Sequence, residues 1–276
     1  MRIDDALIWA EYTLVNSDSA SLDAQVLLAF VLDKETIYLM TWPERDLSTQ
    51  QKSQFEELIE KRANGQPVAH LTGQREFWSL PLKVNNSTLI PRPDTEVLVE
   101  IALAKSTTNA HILDLGTGTG AIILALASEL PNAVCTGVDF SEQAVKLATE
   151  NRDNLKLNKV SIQQSNWFEK VQGQFDIIVS NPPYIDANDV HLKRGDVRFE
   201  PLSALVANEQ GLSDIRHICE GAKSYLKENG CLLFEHGFEQ GASVQAILRE
   251  NGFTNIKTEQ DYAKNDRVTL GHLRSL

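Results

Sequence analysis

Asn181, Pro182, Pro183 and Tyr184 end the stretch Phe-Asp-Ile-Ile-Val-Ser-Asn-Pro-Pro-Tyr, and their side chains suit chemistry on a flat polar group. The turn offers the amide oxygen of Asn181, carbonyls of Pro182 and Pro183 freed from strand pairing, and the aromatic face of Tyr184. Together these can hold an amide or a base amine. Two consecutive prolines remove two backbone donors and fix two φ angles, so the chain leaves its strand as a stiff, extended turn. A second group of residues lies upstream. His111-Ile-Leu-Asp-Leu115 runs into Gly116-Thr117-Gly118-Thr119-Gly120, and glycines at alternate positions let a ligand lie against the backbone at a helix N-terminus. Asp139 follows about twenty residues on, where a carboxylate can accept from both hydroxyls of a ribose. Ser165-Asn166-Trp167 then supplies an amide and an aromatic face suited to adenine. Each feature has a plain structural alternative: a proline turn with asparagine as its cap, a helix cap, a core aromatic. Adenosine-compatible groups at the ends of successive strands favour the ligand reading over coincidence. The spacing G-x-G-x-G-A alone fits a nicotinamide cofactor as well as other adenosine ligands.

These residues need strands that end together. Phe175, Ile177, Ile178 and Val179 form a near-continuous apolar run, which reads as a strand buried on both faces of a parallel sheet. Further strands are expected at 111–115, 133–138, 160–163 and 231–235, with helices starting near Gly120, Ser141 and Leu212. The alternation predicts an α/β, doubly wound sheet. Two extended runs at 255–259 and 267–271 predict an antiparallel pair at one sheet edge.

The first part of the chain differs in kind. Ile3, Leu7, Ala10 and Leu14 repeat at helical spacing, as do Leu22, Val26 and Phe30, and Ser48-Thr-Gln-Gln51 has the pattern of a capping box. A small N-terminal helical bundle over 1–72 is expected, for packing or partner docking, with 67–73 as its linker. A β-hairpin within 73–93 follows, with arms at 77–84 and 88–90 around Asn85-Asn86. Pro91 and Pro93 hold Arg92 extended, as a structural clamp or a ligand contact, and Asp94 or Thr95 is expected to cap the helix that opens the segment 94–276. The stretch 185–211 is rich in charge and turns and is expected to form a partly mobile lid or docking loop, with Arg198 and Glu200 as an internal ion pair.

The 276 residues carry 42% hydrophobic content and a net charge of −12, which argues against a broad electrostatic grip on nucleic acid. The three cysteines lack C-x-x-C spacing and sit among apolar residues, as buried thiols of a reducing compartment do. The six histidines form no ligand pair, so no metal site is expected. The N-terminus has no apolar signal segment, and no apolar run is long enough to span a bilayer, so a cytoplasmic protein is expected.

Asp-Leu-Gly-Thr-Gly-Thr-Gly followed by Asp139, Asn166-Trp167 and Asn-Pro-Pro-Tyr resembles the class I S-adenosylmethionine-dependent methyltransferases, in their amino-methylating branch. Phe77-Trp78, Ile90-Pro-Arg-Pro-Asp-Thr-Glu96, Ser165-Asn-Trp167, Gly195-Asp-Val-Arg-Phe-Glu-Pro201 and Glu235-His-Gly237 extend the resemblance over essentially the whole chain, to the peptide chain release factor glutamine methyltransferase family. Asn166 departs from the family, which more often has Asp there, and Phe140 stands where a polar residue is more usual. The resemblance implies a seven-stranded methyltransferase sheet over 94–276. It also implies S-adenosylmethionine as cofactor, S-adenosylhomocysteine as its product, and methylation of the glutamine amide in the Gly-Gly-Gln loop of class 1 release factors. The implied cofactor residues are Gly116, Thr117, Gly118, Thr119, Gly120, Asp139, Asn166, Trp167 and Asn181. Catalysis would fall to Asn181, Pro182 and Tyr184, with Pro183 beside them in binding the acceptor. A monomer that binds a release factor, with no membrane and no stable nucleic-acid contact, is expected. Glutamine methylation of a ribosomal protein is the nearest alternative, and DNA adenine N6-methylation a more distant one.

Overall fold

The computed structural model describes residues 1–193 and 195–274. Five helices come first: α1 (Ile3–Thr13), α2 (Ala20–Leu32), α3 (Thr36–Thr41), α4 (Thr49–Ala63) and α5 (Val68–Thr72). Residues 1–74 and 193–199 make one of two compact units. Ile3, Ala6 and Ala10 of α1 share a core with Leu27 and Leu28 of α2 and Phe55 and Ile59 of α4. The large apolar side chains among them contribute roughly 1.5–3 kcal/mol each by leaving water. Ser48 caps α4 reciprocally: its hydroxyl accepts from the Gln51 N–H at 3.2 Å, and its own N–H donates to Gln51 Oε1 at 2.9 Å. Arg62 donates to Asp23 at 2.7 Å and approaches Asp196 at 3.4 Å, which ties 193–199 into this unit.

The stretch 67–73, expected as a linker, carries α5 instead. Pro67 precedes that helix and Gly73 ends it at φ 71°, the usual proline and glycine punctuation of helix ends. The hairpin also lies earlier than expected, in β1 (Gln74–Phe77) and β2 (Leu80–Lys83). Its two-residue turn is Trp78-Ser79, at φ 53° and 57°. Such turns usually carry Asn and Gly, so composition pointed to Asn85-Asn86 instead. Asn151, far along the chain, fastens β2, accepting from the Lys83 N–H at 2.7 Å and donating to the Lys83 carbonyl at 3.0 Å.

The second unit, 75–192 with 200–276, continues with α6 (Glu96–Lys105), β3 (His111–Leu115), α7 (Ala121–Glu129), β4 (Val134–Asp139), α8 (Glu142–Asn154), β5 (Ser161–Gln164) and β6 (Phe175–Ser180). After the single turn α9 (Asn208–Gly211) come α10 (Ser213–Tyr225), β7 (Leu226–Glu235), α11 (Gly241–Glu250), β8 (Phe253–Gln260) and β9 (Asp266–Leu273). The seven-stranded sheet has the order β5-β4-β3-β6-β7-β9-β8. β9 runs antiparallel to both neighbours, and the remaining pairings are parallel. The expected doubly wound sheet with its antiparallel edge pair is present, β7 begins earlier than expected, and α11 is an addition.

Alternate residues of the same strands feed opposite core layers. Ile112, Ile177, Val179 and Leu233 pack on one side with α7. Leu113, Ile178, Leu232 and Phe234 pack on the other with α10 and α11. Burial on both faces explains the unbroken apolar run before Asn181. Burial pushes the thiol pKa values of Cys135, Cys219 and Cys231 up to about 12. The chain builds β3, β4 and β5 outward in one direction, then returns to lay β6 on the other side of β3. That reversal makes the β3/β6 boundary the topological switch point, where open sheets of this kind bind ligands at their carboxyl ends.

Among the described residues of 185–207, three short 3-10 turns precede α9, and the base of this segment is closed where the Ile185 N–H donates to the Leu205 carbonyl at 2.9 Å. The expected Arg198 and Glu200 pair is replaced. Glu200 receives Arg92 Nη2 on both oxygens, at 2.8 and 2.9 Å, while Arg198 donates to the Gly195 carbonyl. Arg92 thus takes the clamp role, its extended backbone fixed by the flanking prolines. Among the described residues no helix is long and apolar enough to cross a membrane.

Candidate functional site

The glycine loop leaves β3 at Leu115. Gly116, Gly118 and Gly120 all have positive φ, at 74°, 55° and 84°, a region that only glycine enters freely. The N–H groups of Gly116 and Thr117 both donate to the Val138 carbonyl at 2.9 Å, which folds the loop over the end of β4. The Thr119 carbonyl accepts from Asn151, so α8 holds the far side of the loop at 2.9 Å. Beneath it, the Thr117 hydroxyl donates to Asp114 Oδ2 at 2.6 Å. The other oxygen of Asp114 is buried without a partner, and burial pushes its carboxyl up to about 7.

Asp139 ends β4 and anchors two loops. Its Oδ2 accepts from the Gly118 N–H and its Oδ1 from the Ser141 N–H, each at 2.9 Å. Burial raises its pKa, opposed by backbone donors from Ser141, Gly118 and Phe140. Each carboxylate oxygen has capacity for a second hydrogen bond, so the group can still take two hydroxyls. Beyond β5, the Ser165 N–H donates to the Asp139 carbonyl at 2.9 Å. This sets Asn166 and Trp167 beside the glycine loop; a Cβ on Gly116 would meet the Trp167 ring at 3.6 Å. The Asn166 Nδ2 is taken by Glu169 at 2.7 Å.

On the other side of the switch point, Asn181 follows Ser180. Its Nδ2 donates to the Thr95 hydroxyl at 3.4 Å. Thr95 was expected as a helix cap, but it makes no capping bond and is buried with its side chain turned to this site. Its partner lies 86 residues away, which no local pattern encodes. The Tyr184 carbonyl accepts from Gln240 at 3.0 Å. Gly211 packs against the same carbonyl at φ 83°, so closely that a Cβ there would lie 2.0 Å from it. Burial raises the pKa of the Tyr184 hydroxyl and keeps it protonated. Glu235, the last residue of β7, is 1% exposed and lies beside Thr95 and Asn181, one oxygen without a hydrogen-bond partner.

One cavity of about 280 Å³ joins these parts, close to the lower end of the size range of ligand pockets. Gly116, Thr117, Gly118 and Thr119 line one side of it, Asp139, Asn166 and Trp167 another, and Asn181 and Pro183 a third. Gly120, Pro182 and Tyr184 lie outside the lining, Gly120 as the residue before α7. Thr88, Thr95 and Phe140 were not foreseen as lining. The residues present fit an adenosine cofactor: the glycine cradle leaves no Cβ in the way, Asp139 matches a diol, and the buried Thr88 hydroxyl lines the cavity with no protein partner.

A family model described as the PrmC N-terminal domain matches residues 5–73, and a methyltransferase domain model matches residues 106–267. The release factor glutamine methyltransferase of Aliivibrio fischeri is 56% identical over 262 residues, covering 94% of this chain and 92% of that protein. Its namesake from Shewanella oneidensis is 55% identical over 272 residues, covering 98% of this chain and 95% of that protein. Among solved structures, a methyltransferase from Pyrococcus furiosus matches in fold with a TM-score of 0.55 at 18% identity, over 71% of this chain and 90% of that one.

Proposed function

The chain belongs to the release factor glutamine methyltransferase family, and from that membership we propose its reaction: methyl transfer from S-adenosylmethionine to the side-chain amide nitrogen of the Gly-Gly-Gln glutamine in class 1 release factors. The observation that carries this reading is the meeting of Asn181 with the glycine loop and Asp139 on one cavity. A cytoplasmic location and a release factor as partner follow from the same substrate. The acidic balance, −12 overall, favours a protein acceptor over DNA. Residues 94–276 carry the cofactor and the chemistry, and 1–72 serve packing or partner docking.

S-adenosylmethionine, when bound, supplies an electrophilic methyl on a positively charged sulfur. Gly116 to Thr119 and Asp139 would hold its amino acid and ribose portions, and Asn166 and Trp167 its base. An amide nitrogen is a weak nucleophile because its lone pair is delocalised, and its protons are too weakly acidic to be removed beforehand at neutral pH. Positioning does most of the work. The Asn181 Oδ1 and the Pro182 carbonyl accept the two amide protons and fix the nitrogen for attack, an effect that can supply about 7 kcal/mol or more. The same oxygens face the positive charge that develops on nitrogen, so they act selectively on the transition state. Tyr184 walls the turn. The extra proton passes to water after transfer, when the nitrogen has become acidic.

The test is incubation with labelled S-adenosylmethionine and, separately, a release factor, a ribosomal protein fraction and DNA, followed by mass mapping. Label on the Gly-Gly-Gln glutamine is expected. Label confined to a ribosomal protein or to DNA would overturn the assignment.

A further inference from the structure

Glu235 is a buried carboxyl with no part in the reaction described so far. It ends β7 at 1% exposure, one residue beyond the register pair Ser180 and Phe234, so it stands beside Asn181 at the ends of adjacent parallel strands. Thr95, 4% exposed, completes the group and receives the Asn181 Nδ2 on its hydroxyl oxygen. We propose that Glu235 is a positioning residue for methyl transfer: through Thr95 it fixes the Asn181 carboxamide with Nδ2 turned inward and Oδ1 turned to the acceptor amide.

An ionised carboxylate can only accept hydrogen bonds. In the proposed relay the Thr95 hydroxyl donates to this carboxylate, and its lone pairs are left for Asn181, which presents Nδ2 to them. The amide oxygen is then free for the substrate. Without the charge this polarity is lost. A neutral carboxyl can donate to Thr95, whose hydroxyl can then donate to Asn181 Oδ1, and the carboxamide is free to flip and present donors where an acceptor is needed. The inference rests on the reading of this site as a glutamine-amide methylating one.

The surroundings make the charge titratable near neutrality. Desolvation pushes the Glu235 carboxyl up to about 7, opposed first by the Thr95 hydroxyl and then by Arg267 of β9. Asp94, from the turn before α6, raises it, and the Asn181 carboxamide lowers it. Tyr184 of the turn after β6 interacts with the same carboxyl and remains protonated. His236, next on the strand, has its pKa lowered by burial. Its ring bonds the Gly237 carbonyl and Thr269.

Glu235→Gln keeps the shape and removes the charge. In steady-state methylation of a release factor, kcat is expected to fall on the order of 10- to 100-fold, with the release-factor KM and the calorimetric affinity for S-adenosylmethionine little changed. Wild-type kcat is expected to rise with pH through about 7, and the variant to lack that limb. Thr95→Val, which breaks the relay without touching the charge, is expected to lower kcat likewise, and it carries the test if the glutamine variant fails to fold. A wild-type enzyme that modifies no release factor would overturn the functional reading. A wild-type enzyme that does so, with Glu235→Gln or Thr95→Val as fast and the pH profile unaltered, would overturn the role of Glu235 alone.

Discussion

The Ser180 hydroxyl donates to the Leu115 carbonyl at 2.7 Å, fully buried, and so ties together the ends of the two strands from which the glycine loop and the Asn-Pro-Pro-Tyr turn depart. The spacing between the cofactor side and the acceptor side of the site is thereby set inside the sheet rather than by mobile loops. The proposed methyl transfer without a base depends on that spacing, because a displacement of about 1 Å can cost on the order of 100-fold in rate.

Asn181→Ala removes the proposed acceptor for one amide proton while leaving the glycine loop and Asp139 in place. Methyl transfer is expected to drop by at least about 100-fold, the scale seen when one preorganised transition-state contact is lost. Calorimetry is expected to show S-adenosylmethionine affinity reduced far less. Near-normal turnover would remove Asn181 from the mechanism.

Asp139→Ala acts on the other side. It deletes the proposed acceptor of the ribose hydroxyls and releases the backbone N–H groups of Gly118 and Ser141. Hydrogen bonds to a charged group contribute about 1.5–3 kcal/mol each, so cofactor affinity is expected to fall by 10-fold or more. Unchanged affinity by calorimetry would refute the ribose role.

Gly211→Ala tests the clamp on the turn. Its positive φ disfavours any side chain, and the Cβ would lie 2.0 Å from the Tyr184 carbonyl. The turn must shift, so stability is expected to fall by about 1–3 kcal/mol and kcat with it, as read by thermal unfolding and methylation assays. A variant as stable and as active as the parent would show that the turn is not held from this side.

Asp114 supplies a pH test of stability. Its folded pKa, about 7, lies above the unfolded value near 4, so the folded state holds this proton more tightly. Stability from this group is full below the unfolded value and is lost as pH rises through about 7. The melting temperature of Asp114→Asn, measured without cofactor, is therefore expected to gain on the wild type between pH 5 and pH 8. A difference that stays constant over that range would show that Asp114 is not buried as a charge.

The cofactor side was legible because its determinants are local. The strand 111–115, the alternating glycines and Asp139 follow one another along the chain, and the apolar run before Asn181 shows a strand covered on both faces. Asn166-Trp167 was found because the next strand must end beside them. The acceptor side was legible only at the turn itself. Thr95 looked like a cap, since Thr before a helix usually is one, and only the tertiary fold turns it to Asn181. Glu235 stood out in the sequence only as part of a resemblance, because a lone Glu at a strand end has no pattern. The hairpin was misplaced for a different reason, since Trp78 and Ser79 adopt positive φ without the glycine that would announce it.

Arg92 and Glu200, the clamp beside the prolines, lie 108 residues apart. Loop-closure entropy grows with the length of chain enclosed, by about 0.6 kcal/mol for each doubling. The contact between Gly118 and Asp139 spans 21 residues and can form as soon as two strands meet. The Arg92 and Glu200 contact waits until most of the sheet exists, as does that between Thr95 and Asn181 across 86 residues. During folding, the cofactor cradle is thus in a position to assemble ahead of the acceptor side, and the enzyme acquires its substrate chemistry last.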